Sequence, residues 1–188
     1  MNRGENGYTL IEMMVIVSIL SMLTTILIVY NRTGERQIIV FKEQAKIINT
    51  ILRAKSLAIS TYAEGDTPCA YGIHFGKDLT GEWEYRIFKD LDSSGSNDNC
   101  GTADNKYDPD SEHAVEENFF AEKLDKALEF SELEFTNEFI DIVFIPPEPI
   151  VKITPPPAEN EVTLTIKTPD GKVSKTIKVN SFGQITAE

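Results

Sequence analysis

Three sets of residues in this 188-residue chain have types and spacings that could do chemistry. Glu12 is the only charged residue between Tyr8 and Tyr30, a run built from Leu, Ile, Met, Val, Ser and Thr with no Gly or Pro inside. A carboxylate in such surroundings costs roughly 2.5 kcal/mol or more on membrane-insertion scales, so it calls for a positive partner. Asp90, Asp92, Ser94 and Asp98, with Gly95 between, follow the spacing of a calcium loop, but Gly101 stands where such a loop places its bidentate Glu. An acidic solvated loop accounts for the same residues. Measuring the thermal midpoint with calcium and with chelator separates the two. The third set is Cys69 and Cys100, the only cysteines.

Other chemistry finds no footing. His74 and His113 are the only histidines, neither at ligand spacing from a Cys, and there is no Cys-x-x-Cys, so zinc is not expected and both are read as surface or strand-edge residues. No Gly-x-Ser-x-Gly elbow or glycine-rich phosphate loop occurs, and the paired carboxylates sit in the acidic loop; the chain reads as a non-enzyme. A net charge of -12 without a basic patch argues against nucleic acid as a partner.

The elements that must carry these residues follow from periodicity. At about 1.5 Å per residue, the run from Tyr8 to Tyr30 reaches across a hydrocarbon core about 30 Å thick. It is too long for a secretory signal, is preceded by only Arg3 as a cation, and lacks a small-x-small cleavage site. After a polar break at Asn31–Arg36, apolar residues return at helical spacing: Ile38, Phe41, Ala45, Ile48, Leu52 and Ile59, with Ile51 and Ala58 beside them. Lys42, Glu43, Lys46, Arg53 and Lys55 lie mostly off that stripe, which is expected to pack on a sheet. One helix from about Thr9 to Thr61, loosened at Gly34, covers both halves. From Cys69 the period becomes two. Cys69–Phe75 and Trp83–Phe88 predict a hairpin, Ile140–Ile145 a strand halted by Pro146-Pro147, and Pro149–Thr154 a further one. Val162–Lys167 and Val173–Val179 surround Thr168-Pro169-Asp170-Gly171-Lys172, a second hairpin, and Gly183 suggests a turn. Ala114–Leu128 is read as helix and Leu128–Phe135 as strand.

Gly7-Tyr8-Thr9-Leu10-Ile11-Glu12, followed by about twenty apolar residues, resembles the class III signal of type IV pilins and type II secretion pseudopilins. The resemblance implies an α+β pilin-like fold: a long N-terminal helix, membrane-spanning in its first half and amphipathic in its second, packed on an antiparallel sheet. It implies that a prepilin peptidase cuts after Gly7 and methylates Tyr8, which replaces the usual Phe. Glu12 becomes the assembly carboxylate, its partner the new ammonium of a neighbour's Tyr8. In an apolar filament core such a pair attracts far more strongly than in water and fixes register. The division expected is 1–7 leader, 8–30 membrane and filament-core helix, 31–62 its amphipathic continuation, and 63–188 an extracytoplasmic β-rich domain. With that domain outside the cytoplasm, Cys69 and Cys100 should pair, which stabilises the loop they close by about 3 to 4 kcal/mol.

The expected role is that of a minor pilin or pseudopilin in a type IV pilus or type II secretion-like filament; the loose whole-chain likeness, including Phe182-Gly183-Gln184-Ile185, and the proline-free spanning helix lean towards a minor subunit. Expected partners are other pilin or pseudopilin subunits, the prepilin peptidase, an inner-membrane assembly platform and the membrane, with no cofactor unless the acidic loop holds calcium. Before assembly the chain would be single-pass in the cytoplasmic membrane; afterwards it would lie in a cell-surface or periplasmic filament. The alternative is a membrane-anchored, calcium-stabilised extracellular binding module that does not polymerise.

Overall fold

The computed structural model describes residues 8–61, 69–78, 80–91, 100, 103–107, 118–131, 139–146, 150–157 and 160–188. Helix α1 runs Leu10–Thr61, followed by β1 (Ala70–Lys77), β2 (Trp83–Asp90), β3 (Asn118–Lys123), β4 (Glu129–Phe130), β5 (Phe139–Ile145), β6 (Ile150–Thr154), β7 (Glu161–Lys167), β8 (Ser174–Asn180) and β9 (Ile185–Ala187). This is the expected α+β arrangement. The chain divides into two compact units, Met1–Ile38 and Ile39–Glu188. Helix α1 passes through Gly34 without a break, where a loosening was expected. A single glycine weakens a helix by about 1 kcal/mol yet keeps its backbone N–H donor, so the ladder can continue.

In the first unit the described apolar residues face outwards. Leu10, Ile11, Met14, Val17, Leu20, Met22 and Leu27 are each more than half exposed. The polar side chains between them turn back onto the helix: Ser18 Oγ donates to Met14 O at 2.8 Å, Thr24 Oγ1 to Leu20 O at 2.7 Å and Thr25 Oγ1 to Ser21 O at 2.8 Å. Their hydroxyls are thus compatible with hydrocarbon.

The second unit has two antiparallel sheets, ordered β3-β2-β1-β5-β6 and β4-β7-β8-β9. Alternation decides which face each strand buries: Tyr71, Ile73 and Phe75 of β1, Ile140, Ile142 and Phe144 of β5, and Leu164 and Ile166 of β7 join one core with Val40, Ile47, Ile51, Ala54 and Ala58 of α1. The expected helix stripe is therefore corrected. Ile38, Phe41, Ala45, Leu52 and Ile59 are exposed, and Ile48 only flanks the core. The helix carries apolar rows on both sides, and the side bearing the small Ala54 and Ala58 is the one the sheets cover. Glu43, read as lying off the packed face, is 2% exposed because Tyr85 Oη donates to its Oε1 at 3.1 Å and Lys46 Nζ lies 3.5 Å from its Oε2. Burial, then Glu122 and Glu43, push the Tyr85 phenol above its ordinary range.

Helix was expected over Ala114–Leu128, but Asn118–Lys123 is a strand, with Ala121 opposite Arg86 and Phe120 opposite Ile87. Leu124 and Leu128, whose spacing suggested a helix, are both buried around a turn in which Leu128 N donates to Asp125 O at 2.9 Å. The strand expected over Leu128–Phe135 is present as Glu129–Phe130, and 132–138 lie outside the described residues. Both predicted hairpins form, with Gly81 and Gly171 at positive φ in their turns, and the turn suggested by Gly183 joins β8 to β9, again at positive φ.

The second face of the five-stranded sheet has its own cluster, Ala70, Phe88, Tyr107 and Val143. Gly72 is required there, because a Cβ would lie 2.4 Å from the Phe88 ring. His74, read as a surface or edge residue, is largely buried on this face. Its Nδ1 lies 2.6 Å from Oδ1 of Asp141, whose Oδ2 accepts Tyr107 N at 3.0 Å. His113 lies outside the described residues.

Candidate functional site

The site begins where α1 begins. Thr9 precedes the first helical residue, and three positions later Glu12 reaches back: its Oε2 accepts from Thr9 N and Thr9 Oγ1, both at 2.8 Å, while Glu12 N donates to Thr9 Oγ1 at 3.3 Å. This reciprocal arrangement is a capping box, which satisfies two backbone donors that a helix start leaves open. Thr9-x-x-Glu12 ahead of an apolar run is its sequence signature, a signal the reading of Glu12 as purely an assembly group passed over. Both Thr9 bonds end on Oε2, and a carboxylate has lone pairs on two oxygens, so capping leaves Oε1 for a further donor. Tyr8, one residue before the cap, is 78% exposed. Gly7 lies outside the described residues.

Behind the cap, Leu10–Ile28 is long and apolar enough to cross a membrane, and none of it is buried within the chain. Anions near a helix N-terminus meet the positive end of its dipole. The geometry therefore puts a carboxylate, a helix start and the backbone of Tyr8 within a few residues of one another, all accessible to another chain.

The other predicted positions are less gathered. Cys69 and Cys100 are joined by a disulfide, with Cα atoms 5.1 Å apart. Asp90 is not in a loop but is the last residue of β2, 1% exposed, and its Oδ2 has no hydrogen-bond partner. Burial first, then the neighbouring Asp104, push its carboxyl up to about 7. Asp92, Ser94 and Asp98 lie outside the described residues. Among the described residues no three His, Cys, Asp or Glu side chains converge as a metal site would need.

Residues 2–28 match the family described as the prokaryotic N-terminal methylation motif. No curated protein and no solved structure matches the chain. The motif is the signal of type IV pilins and pseudopilins, and it spans Gly7, Tyr8 and Glu12 together. It supports a pilin-like substrate of a prepilin peptidase, and with the apolar helix behind it fits anchoring in a membrane before assembly.

Proposed function

We propose that this signal makes the chain a minor pilin or pseudopilin subunit, cut between Gly7 and Tyr8, methylated on Tyr8 and drawn from the membrane into a filament. The observation that carries the reading is the methylation motif over residues 2–28, which takes in the helical segment Leu10–Ile28, none of it covered within the chain. Apolar surface of that extent needs lipid or other helices around it. In the filament, Oε1 of Glu12 takes the Tyr8 ammonium of an adjacent subunit while Oε2 keeps the helix cap. The proline-free spanning segment supports a minor place in the assembly, and the domain from about residue 63 lies outside the cytoplasm.

Two substitutions test this and separate the two jobs of Glu12. Glu12→Gln keeps a side chain able to close the capping box but removes the charge; Glu12→Ala removes both. Mass spectrometry of the purified chain should show Tyr8 as a methylated N-terminus, and both variants should be cut yet fail to enter fibres. Normal fibre entry by Glu12→Gln would leave Glu12 as a cap alone. An uncut Met1 would instead favour a membrane-anchored binding module.

A further inference from the structure

Two apolar rows run along the part of α1 that belongs to the folded domain, and the sheets cover one of them. The core closes on Val40, Ile47, Ile51, Ala54 and Ala58, so the second row is not needed to complete the fold. That second row is Phe41, Ala45, Ile48, Leu52 and Ile59, with Lys55 keeping its rhythm, in steps of four, three, four, three and four residues. Phe41, Leu52 and Ile59 are 54%, 47% and 48% exposed, Ala45 is exposed as well, and Ile48 is half-buried at the margin of the core.

Steps of four and three in strict alternation hold a period of 3.5 residues, the spacing at which a second helix meets the first along one line and side chains enter as knobs into holes. A helix that lies on lipid shows a wide apolar face instead. Here the line is narrow, and Asn49 and Ser56, exposed beside it, are small enough to let another backbone come close. From Phe41 to Ile59 it runs for about 27 Å, more than two heptads.

The border of this line is basic although the chain carries a net charge of -12. Lys42 is exposed next to Phe41. Lys175 of β8 holds its Nζ 4.9 Å from the Phe41 ring centroid, and Lys55 Nζ donates to Gly183 O at 2.9 Å, a partner without charge. None of these three ammonium groups meets a carboxylate among the described residues. The acids on or beside this stretch of α1 are engaged elsewhere. Glu43 is buried against Tyr85 and lies 3.5 Å from Lys46, which also has Glu122 at 3.7 Å; Glu188, whose carbonyl accepts Gln44 Nε2 at 3.4 Å, pairs with Lys178 at 3.0 Å. Two copies set row to row would bring Lys42, Lys55 and Lys175 against the same cations in either direction, and like charges at such borders oppose pairing.

We infer that this row docks an α-helix of a different chain, one with its own apolar line and with Asp or Glu along its borders, in preference to a second copy of this chain. The apolar line supplies the contact, and the border cations choose the partner by attracting acids and opposing bases. Nothing in this depends on cleavage at Gly7 or on fibre entry, so it goes beyond the subunit reading without resting on it.

The test uses the full chain in nanodiscs of neutral lipid and two synthetic helices of about three heptads that share one Leu/Ile line and differ only at its borders, one carrying Glu and the other Lys. Fluorescence anisotropy should show the Glu helix binding about tenfold more tightly than the Lys helix, with the gap narrowing in high salt. Leu52→Gln, at an exposed position, should weaken both. Lys42→Glu combined with Lys175→Glu should reverse the order of the two helices, an outcome that loss of folding does not produce. Equal binding of the two helices, or binding of neither, would overturn the inference. Dimers of the unaltered chain that Leu52→Gln breaks would make a second copy the occupant, and displacement of the Glu helix by added phosphatidylglycerol vesicles would make it an anionic membrane; either result overturns it too. A Met1 left uncut in cells would remove the subunit reading and leave these outcomes as they stand.

Discussion

The two units of this chain handle the same kinds of residue in opposite ways. In Ile39–Glu188, large apolar side chains such as Tyr85, Phe75, Phe130, Ile47 and Leu164 are wholly covered, and polar groups bond partners far away in sequence, as when Gln44 Nε2 donates to Thr176 O at 3.0 Å. In Met1–Ile38, the apolar side chains described are exposed, and the hydroxyls of Thr9, Ser18, Thr24 and Thr25 bond within one turn of helix. One unit is complete as a single chain; the other is complete only with a surrounding that the chain does not contain. Taking apolar surface out of water stabilises by roughly 25 cal/mol per Å², so the first unit defers to lipid or neighbouring helices what the second gains on folding.

The largest contrast should come from the same kind of truncation made in each. Phe130→Ala in the core should cost about 3–5 kcal/mol of domain stability, because the ring packs edge-on against Phe75 and Trp83 and nothing can fill its place. Leu20→Ala, at a side chain 56% exposed, should leave the unfolding midpoint of the domain unchanged and act on membrane retention or fibre yield instead. Denaturant titration alongside fibre recovery reads both. A shift of the domain midpoint by Leu20→Ala would mean that the two units are not energetically separate.

Much of this division was legible in the sequence, and what was not has identifiable reasons. The hairpins were plain because Pro169-Asp170-Gly171 and the alternation of Val162, Leu164 and Ile166 each allow one local solution. The buried face of α1 was misjudged because Ile38, Ala45, Leu52 and Ile59 repeat as regularly as Val40, Ile47 and Ala54; periodicity reveals rows, not which row a sheet will cover. Ala114–Leu128 reads as helix from the spacing of Leu124 and Leu128 among Glu and Lys, and only pairing with β2 makes Asn118–Lys123 a strand. The N-terminal site was the most legible of all, since its residues are consecutive. The contact of His74 with Asp141 depends on register between β1 and β5, which no local pattern encodes.

A smaller effect concerns Asp90, a carboxyl inside the unit that otherwise covers its apolar groups well. With its carboxyl pushed up to about 7 from 3.8, the folded chain holds a proton there more tightly than the unfolded chain does. Stability should therefore fall as pH rises from about 4 to about 7, by a few kcal/mol at most. Asp90→Asn should flatten that slope, as urea midpoints in chelator at pH 5 and pH 8 would show. If the loop after Asp90 holds calcium, adding calcium at pH 8 should raise the midpoint of the unaltered chain and not of the variant. An unchanged midpoint in both would end the calcium reading.

The smallest effect is expected at Gly34, which lies close to the division between the units and has nothing within 4 Å of where a Cβ would sit. Gly34→Ala meets no steric obstacle and should favour the helix by about 0.5–1 kcal/mol. What this does to assembly depends on whether α1 works as the continuous element seen from Leu10 to Thr61. If it does, the variant should enter fibres at least as well as the unaltered chain. If entry requires the helix to yield between the part that seeks lipid or neighbours and the part that belongs to the folded domain, stiffening that position should reduce entry while the domain midpoint stays fixed. Fibre yield set against domain stability for this one methyl group thus tells whether the two units act through a rigid connection or a compliant one.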